Sequence, residues 1–271
     1  MRITYVGSPQ GCVLSPILYI LYTDDCRSKH ANHFLVKYAD DSALLSLLNS
    51  QDNGHGHGHA LCDFVEWCNN SFLKLNANKT KDMLFGFRRN SDNQLNSVIS
   101  NECIEIVSDY KYLGTFFSNK LDWDKNTESI IKKAQQRVFF LRKLNSFSAH
   151  KNTLTLFYRS YIESILCFSC ICWFNNLNLN QKNSMSSIVN LCSKIIGEQQ
   201  RCLPGFYNSL ISNKAKSIIA DQSHALFCEF DVLPSGRRYR SVHGRTKRYI
   251  ESFVPSVIRL LNKSSSSNGS I

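Results

Sequence analysis

The stretch Phe34-Leu35-Val36-Lys37-Tyr38-Ala39-Asp40-Asp41-Ser42-Ala43-Leu44-Leu45-Ser46 decides how the chain is read. Two apolar, strand-like runs flank Tyr38 to Asp41 and leave adjacent carboxylates at the tip. A tight turn puts both side chains at one end of a sheet, and like charges so close repel unless a cation joins them. Lys37 is the one nearby residue that could neutralise them. Hard divalent cations such as magnesium take carboxylate oxygens, keep several waters and complete their shell with substrate phosphates. Two such ions can stabilise the attacking and leaving oxygens of a phosphoryl transfer. A metal-binding hairpin is the sharper reading, and a solvated Asp-Asp turn is the plainer one.

On the N-terminal side, Gly7-Ser8-Pro9-Gln10-Gly11 reads as a turn. Ser15-Pro16 can cap a helix carrying Ile17, Leu18, Ile20 and Leu21, with Pro16 at its first position. On the C-terminal side, His55, His57 and His59 alternate with Gly54, Gly56 and Gly58. A histidine tract can bind metal, but three glycines hold no ligand geometry, so a flexible loop is expected there. Leu61, Phe64, Val65 and Cys68 then recur at helical spacing. Residues 72–76, 83–87, 103–107 and 110–117 read as strands, making a helix-backed sheet of the first 120 residues.

The composition bounds the rest. A chain of 271 residues that is 43% hydrophobic can bury a core and is not disordered, with a soft prior of about two domains. Lys and Arg number 32 against 21 Asp and Glu, giving +11 and a pI near 9.1. That excess favours a polyanion, nucleic acid first, and would also fit a membrane surface. The eleven cysteines are odd in number and scattered, and Met1-Arg2-Ile3-Thr4 begins no signal-peptide pattern. Reduced thiols and an intracellular location, nuclear or cytoplasmic, are expected. Cys167, Cys170 and Cys172 lie among apolar residues without a second pair at zinc spacing, so they read as buried thiols on a helix. The apolar runs 13–22 and 162–174 fall short of the roughly 20 residues that a membrane helix needs, and no span is expected.

From Asp124 onward the period becomes helical. Ile130, Ala134, Val138 and Leu141 form an apolar stripe, with Lys132, Lys133, Arg137, Arg142 and Lys143 largely elsewhere on the cylinder. Further helices are expected at 151–172, 181–196 and 208–220. Residues 201–271 hold eleven Lys and Arg against four Asp and Glu, a net +7. The window 236–248 carries six basic residues, among them Arg237, Arg238 and Arg240, interleaved with Tyr239 and His243. Basic groups pair with phosphates and aromatic rings stack on bases, so this window reads as a nucleic-acid contact or as a solubilising tail. Ser264 to Ser270 reads as a disordered end.

Taken together these segments resemble the reverse transcriptase of non-LTR, LINE-type retrotransposons, of the kind abundant in fish genomes. Residues 7–16 look like the polymerase motif that follows the first palm aspartate, and Tyr38-Ala39-Asp40-Asp41 looks like the catalytic palm hairpin. Leu73-Lys74-Leu75-Asn76 with Asn78-Lys79-Thr80-Lys81 is similar to the next palm motif, and Tyr112-Leu113-Gly114 to the primer-grip turn. Residues 133–137 with 140–144 look like a thumb helix, and 156–160 and 233–238 read like the element's C-terminal segments. The ordered series is more specific than any single motif.

The resemblance implies roles. Asp40 and, less directly, Asp41 would hold Mg2+; Gln10 and the Gly11 backbone would line the nucleotide pocket; Tyr38 would support the primer end; Lys79 would act near the leaving pyrophosphate. The partners would be an RNA template and a DNA primer or target, with Lys132, Lys133, Arg137, Arg237, Arg238 and Arg240 as candidate contacts. The expected fold is α+β: a truncated polymerase palm over 1–120, a helical thumb-like region over 121–200 and a basic region over 201–271. The family's palm needs a further aspartate upstream of the Gly7 turn, where six residues precede and none is acidic. The expectation is therefore a truncated copy, with negligible polymerase activity alone. One alternative is a non-catalytic nucleic-acid-binding remnant. A weaker one rests on residues 130–175, which resemble the N-terminal part of an AlkB-homologue tRNA-modifying protein, implying 2-oxoglutarate and iron or an associated methyltransferase. An iron triad needs two His and a carboxylate, and the chain has no His-x-Asp pair.

Overall fold

The hairpin lies in the first of two units, residues 1–110; the second runs from 111 to 271. The computed structural model describes residues 11–48, 55–86, 97–99 and 101–267. In the first unit, α1 spans Leu14–Tyr22 and starts before the expected cap: Val13 precedes it with no side-chain cap, and Pro16 is its third residue. Proline costs nothing there, because the first-turn N–H groups have no intrahelical partner. None of the nine residues of α1 is buried.

Strands β1 (His33–Tyr38) and β2 (Asp41–Ser46) pair antiparallel, from Tyr38 opposite Asp41 to His33 opposite Ser46. Along β1, His33, Leu35 and Lys37 are half-buried while Phe34, Val36 and Tyr38 face outward. Helix α2 (His55–Asn70) begins inside the expected histidine loop. Glycine in a helix costs about 1 kcal/mol relative to alanine, and here the buried side chains of His57, Ala60, Leu61 and Cys68 offset it.

The remaining strands are shorter than expected. Strand β3 (Lys81–Asp82) pairs in parallel with β6 (Glu105–Ile106), and β4 (Val98–Ile99) pairs antiparallel with β5 (Glu102–Cys103). The 103–107 run is thus split at buried Ile104, whose N–H turns back to the Ser97 carbonyl at 2.9 Å. Residues 72–76 and 83–86 form no strand, and Phe87 lies outside the described residues. Phe72, at φ 55° and 94% exposed, breaks the extended run where it was expected to start. Leu61, Ile99 and Ile104 form this unit's small core, flanked by Leu44, Val65, Leu75 and Ala77.

Strands β7 (Asp109–Tyr112) and β8 (Thr115–Ser118) form a further two-stranded sheet, and the division of the chain into units falls within β7. Next come α3 (Asp124–Ser146), α4 (Lys151–Phe157), a π-helical turn at Tyr158–Glu163, α5 (Ser164–Leu166) and α6 (Cys170–Trp173). After a 3-10 turn at Phe174–Asn176 come α7 (Leu179–Ile196), α8 (Leu203–Ile219), α9 (Lys247–Ile250) and α10 (Phe253–Ser267). The expected helix 151–172 is therefore broken, with Ser169 at φ 51°. Cys170 is buried, Cys167 half-buried and Cys172 exposed, so only one of these three thiols is fully interior. Ser264 to Ser267 continue α10, contrary to the disordered end expected there, and 268–270 lie outside the described residues.

The stripe Ile130, Ala134, Val138 and Leu141 is buried, and α3 packs against α5 and α7. A continuous core of Leu154, Tyr158, Ile162, Trp173, Met185, Ile211 and Val257, among others, joins the helices from α3 to α10. Local signals set the ends of α7. Asn178 and Gln181 form a reciprocal capping box at 2.9 Å each way, and Gly197 at φ 73° ends the helix. Among the described residues no single helix is long and apolar enough to cross a membrane. Helices with small two-stranded sheets make this an α+β chain.

Candidate functional site

The turn joining β1 to β2 is closed by the Tyr38–Asp41 pair, which leaves Ala39 and Asp40 as its central residues. Ala39 takes φ 52°, a left-handed conformation that a two-residue hairpin demands and that a residue with a Cβ adopts at a cost. Asp40, Asp41 and Tyr38 are all exposed at this tip. The strand period sends the Lys37 side chain to the opposite face from Tyr38. Lys37 Nζ donates to the Thr23 and Cys26 carbonyls beyond the end of α1, the second at 3.1 Å. The lysine that could have neutralised the pair thus ties the hairpin to the first helix instead.

A neighbour absent from the sequence reading is Tyr19 of α1. Its hydroxyl is pushed above its ordinary value, first by burial and next by the negative charge of Asp40. The only sequence signal for it was a tyrosine one helical turn before the end of an apolar helix. Gly11, at φ 83° with open space where a Cβ would stand, precedes that helix. Gln10 lies outside the described residues. Lys79 is exposed on a turn whose N–H groups at 79 and 80 close back onto Asn76. Among the described residues no ion pair joins Lys79 to Asp40 or Asp41. The turn brings Tyr38, Asp40 and Asp41 together, and Tyr19 feels the charge of Asp40.

Two hard, exposed carboxylates suit magnesium, which binds through one or two carboxylates plus water and substrate phosphate. Among the described residues no three His, Cys, Asp or Glu side chains come together as a metal cluster. What the turn offers is half a site: charge and oxygen donors without a third carboxylate.

The basic candidates differ in availability. Lys132 and Lys133 are exposed on α3. Arg137 donates to the Tyr161 carbonyl at 2.8 Å and lies over the Tyr161 ring at 5.5 Å, an internal tie between α3 and the π-helical turn. Arg237 and Arg238 project from a bend held by the Val232–Tyr239 bridge and by Gly236 at φ 70°. Asn262 of α10 grips Tyr239 reciprocally, at 2.9 and 3.0 Å. Arg240 is paired with Asp231 at 2.9 Å, so its charge is partly met within the chain.

Residues 1–117 match the family model described as reverse transcriptase (RNA-dependent DNA polymerase). Residues 123–164 match that of alkylated DNA repair protein alkB homolog 8, N-terminal. The chain is 30% identical over 163 residues to a probable RNA-directed DNA polymerase from transposon BS of Drosophila melanogaster, covering 57% of this chain and 18% of that protein. It is 25% identical over 175 residues to a probable RNA-directed DNA polymerase from the X-element transposon of the same fly, covering 62% and 19%. To the RNA-directed DNA polymerase from its mobile element jockey it is 25% identical over 173 residues, covering 61% and 18%. The chain thus spans under a fifth of the length of these relatives. No solved structure matches. Over its first 117 residues the chain is similar to reverse transcriptases, and among named proteins to the RNA-directed DNA polymerases of transposons and mobile elements.

Proposed function

We propose that the chain is part of a retrotransposon RNA-directed DNA polymerase of LINE type, with Tyr38-Ala39-Asp40-Asp41 as the turn that holds magnesium. The fish-type assignment rests on the ordered motif series alone. The observation that carries the reading is the hairpin: two adjacent carboxylates at a strand–turn–strand tip, within the segment that matches the reverse transcriptase model. Asp40, with Asp41 in support, would hold the ion, and bound there it supplies positive charge to phosphoryl oxygens. Tyr38, exposed beside the turn, would support a primer end; Lys79 and Gly11 keep the roles implied by the motif series. RNA template and DNA primer would run over basic side chains, Arg238 among them, with Lys132, Lys133 and Arg237 more available than Arg137 and Arg240.

The chain by itself should turn over negligibly, because only two carboxylates gather among the described residues. Loss of one member of a catalytic unit costs several orders of magnitude. Primer extension by the purified chain on an RNA template with magnesium tests this. The expected incorporation is no greater than that of Asp40→Asn. Robust incorporation abolished by Asp40→Asn would show a complete site and overturn the inactivity.

The net +7 of residues 201–271 favours a second reading, a nucleic-acid-binding remnant without chemistry. It predicts binding that survives Asp40→Asn, weakens on neutralising Arg237 and Arg238, and falls steeply with salt. Salt-independent binding, or none, removes it. The AlkB-homologue match covers α3, α4 and the whole π-helical turn. It is best read as shared helical sequence; iron- and 2-oxoglutarate-dependent turnover would contradict that.

A further inference from the structure

Two thiols face each other where the expected helix 151–172 breaks. Cys167 caps the end of α5 and Cys170 begins α6, and the Cys170 N–H donates to the Cys167 carbonyl at 3.2 Å. A turn closed by such a bond holds its end Cα atoms within about 7 Å, and disulfides form at roughly 4.4 to 6.8 Å. The two side chains already share a hydrogen bond. Cys167 is half-buried and packs against the core of the second unit, while Cys170 lies inside that core at 2% exposure. Between them Ser169 stands at φ 51°, which a residue with a Cβ adopts at a cost, and the Phe168 carbonyl accepts from the Trp173 indole at 3.1 Å. Cys172 points elsewhere, because residues i and i+2 of a helix do not face each other.

We propose that Cys167 and Cys170 are a redox-active dithiol, which a peroxide converts into a disulfide that pins the break between α5 and α6. The two thiols are unequal. The hydrogen bond from Cys167 holds Cys170 below its ordinary value, and the same bond, with burial, pushes Cys167 up. Thiolate, the reactive form of cysteine, is thus favoured on Cys170 beside a thiol that donates to it. The Cys170 thiolate attacks one peroxide oxygen; the O–O bond breaks, and the departing hydroxide takes the Cys167 proton and becomes water. The Cys167 thiolate then attacks the sulfur of the Cys170 sulfenic acid. The S–S bond forms, the S–O bond breaks, and the second hydroxide becomes water with the proton that Cys170 gave up. Two thiols and one hydrogen peroxide become one disulfide and two waters. Peroxide suits the site because it is close to water in size and the attacking sulfur is the buried one. The neighbouring thiol stops oxidation at a reversible stage.

The pair is independent of the polymerase reading and is tested on the full chain, folded and reduced. Hydrogen peroxide is added, the remaining thiols are blocked, and the tryptic peptide 160–182, which holds Cys167, Cys170 and Cys172, is weighed. The expected peptide is lighter by two hydrogens, has one thiol left to block, and is restored by dithiothreitol. Cys167→Ser and Cys170→Ser each abolish the cross-link, and Cys172→Ser keeps it. Oxidation raises the thermal midpoint of the unsubstituted chain and leaves that of Cys167→Ser unmoved. Cys167 is only half-buried, so Cys167→Ser decides the matter should Cys170→Ser fold poorly. Three thiols still free after peroxide overturn the proposal, and so does a cross-link that survives Cys167→Ser or forms only in urea. Sulfinic acid at either position without a cross-link overturns it too, and a midpoint that the cross-link leaves unmoved overturns the pinning.

Discussion

The first unit exposes what the second unit buries. Along α1 Leu14, Ile17, Leu18, Ile20, Leu21 and Tyr22 are exposed, Leu21 at 68%, and the outer face of the hairpin shows Phe34, Val36, Tyr38 and Leu45. Among the described residues the clustered core of that unit is Leu61, Ile99 and Ile104. In the second unit, elements from α3 to α10 close around one core in which Trp173, Tyr158, Met185 and Ile211 are almost wholly removed from solvent. Apolar burial at roughly 25 cal/mol per Å² is the main favourable term in folding, so the second unit holds itself together and the first holds itself weakly. A contiguous exposed apolar face marks a surface that works against something else. The candidate site sits in the unit whose own packing is poorest.

The largest effect that could break this contrast is Trp173→Ala. The indole is fully buried and donates to the Phe168 carbonyl at 3.1 Å, so removing it should cost about 3–5 kcal/mol in urea unfolding of the second unit. A loss below about 1 kcal/mol would mean that the core tolerates a hole that size, against the usual large-to-small penalty.

Cysteine reactivity sharpens the contrast. Burial pushes Cys192 in the second unit and Cys68 in the first up to about 11, with the charge of Cys26 as a lesser cause for Cys68. Both thiols therefore stay protonated at pH 8. Their difference should be kinetic: alkylation followed by mass spectrometry is expected to reach Cys68 well before Cys192, because weakly packed regions open more often. Equal rates would break the comparison. The pH dependence has a definite sign. A raised value in the folded state gives stability that is full below the ordinary value of 9.0 and is lost as pH climbs through about 11. Alkaline unfolding should begin in that window.

The smallest effect is expected at α1. Leu21→Lys should change stability by less than about 0.5 kcal/mol, as for other exposed sites, measured by urea unfolding. A loss of about 2 kcal/mol would show that the helix is packed in solution.

What the sequence disclosed followed from period. The alternation in 34–46 and the stripe Ile130, Ala134, Val138 and Leu141 are long-range regularities, and both came out as read. What failed were segments decided by tertiary partners. Glycines 56 and 58 argued against a helix, and His57, Ala60 and Leu61 overrode them by finding burial. Phe72 looked like a strand residue and instead stands in water at a left-handed turn. In the site, the carboxylates and Tyr38 were legible because adjacency in sequence is adjacency at a turn. Tyr19 and the true partner of Lys37 were not, since each depends on how α1 meets the hairpin, which no local pattern encodes.

The central claim is that the Asp40–Asp41 turn holds a divalent cation. Paramagnetic manganese added to the 15N-labelled chain tests it most directly, through broadening of amide signals. The account predicts broadening centred on Ala39 to Ser42, lost in Asp40→Asn and in Asp41→Asn while the cross-strand contacts of β1 and β2 persist. Signals at the turn that manganese leaves sharp, or broadening that both variants retain, would contradict it.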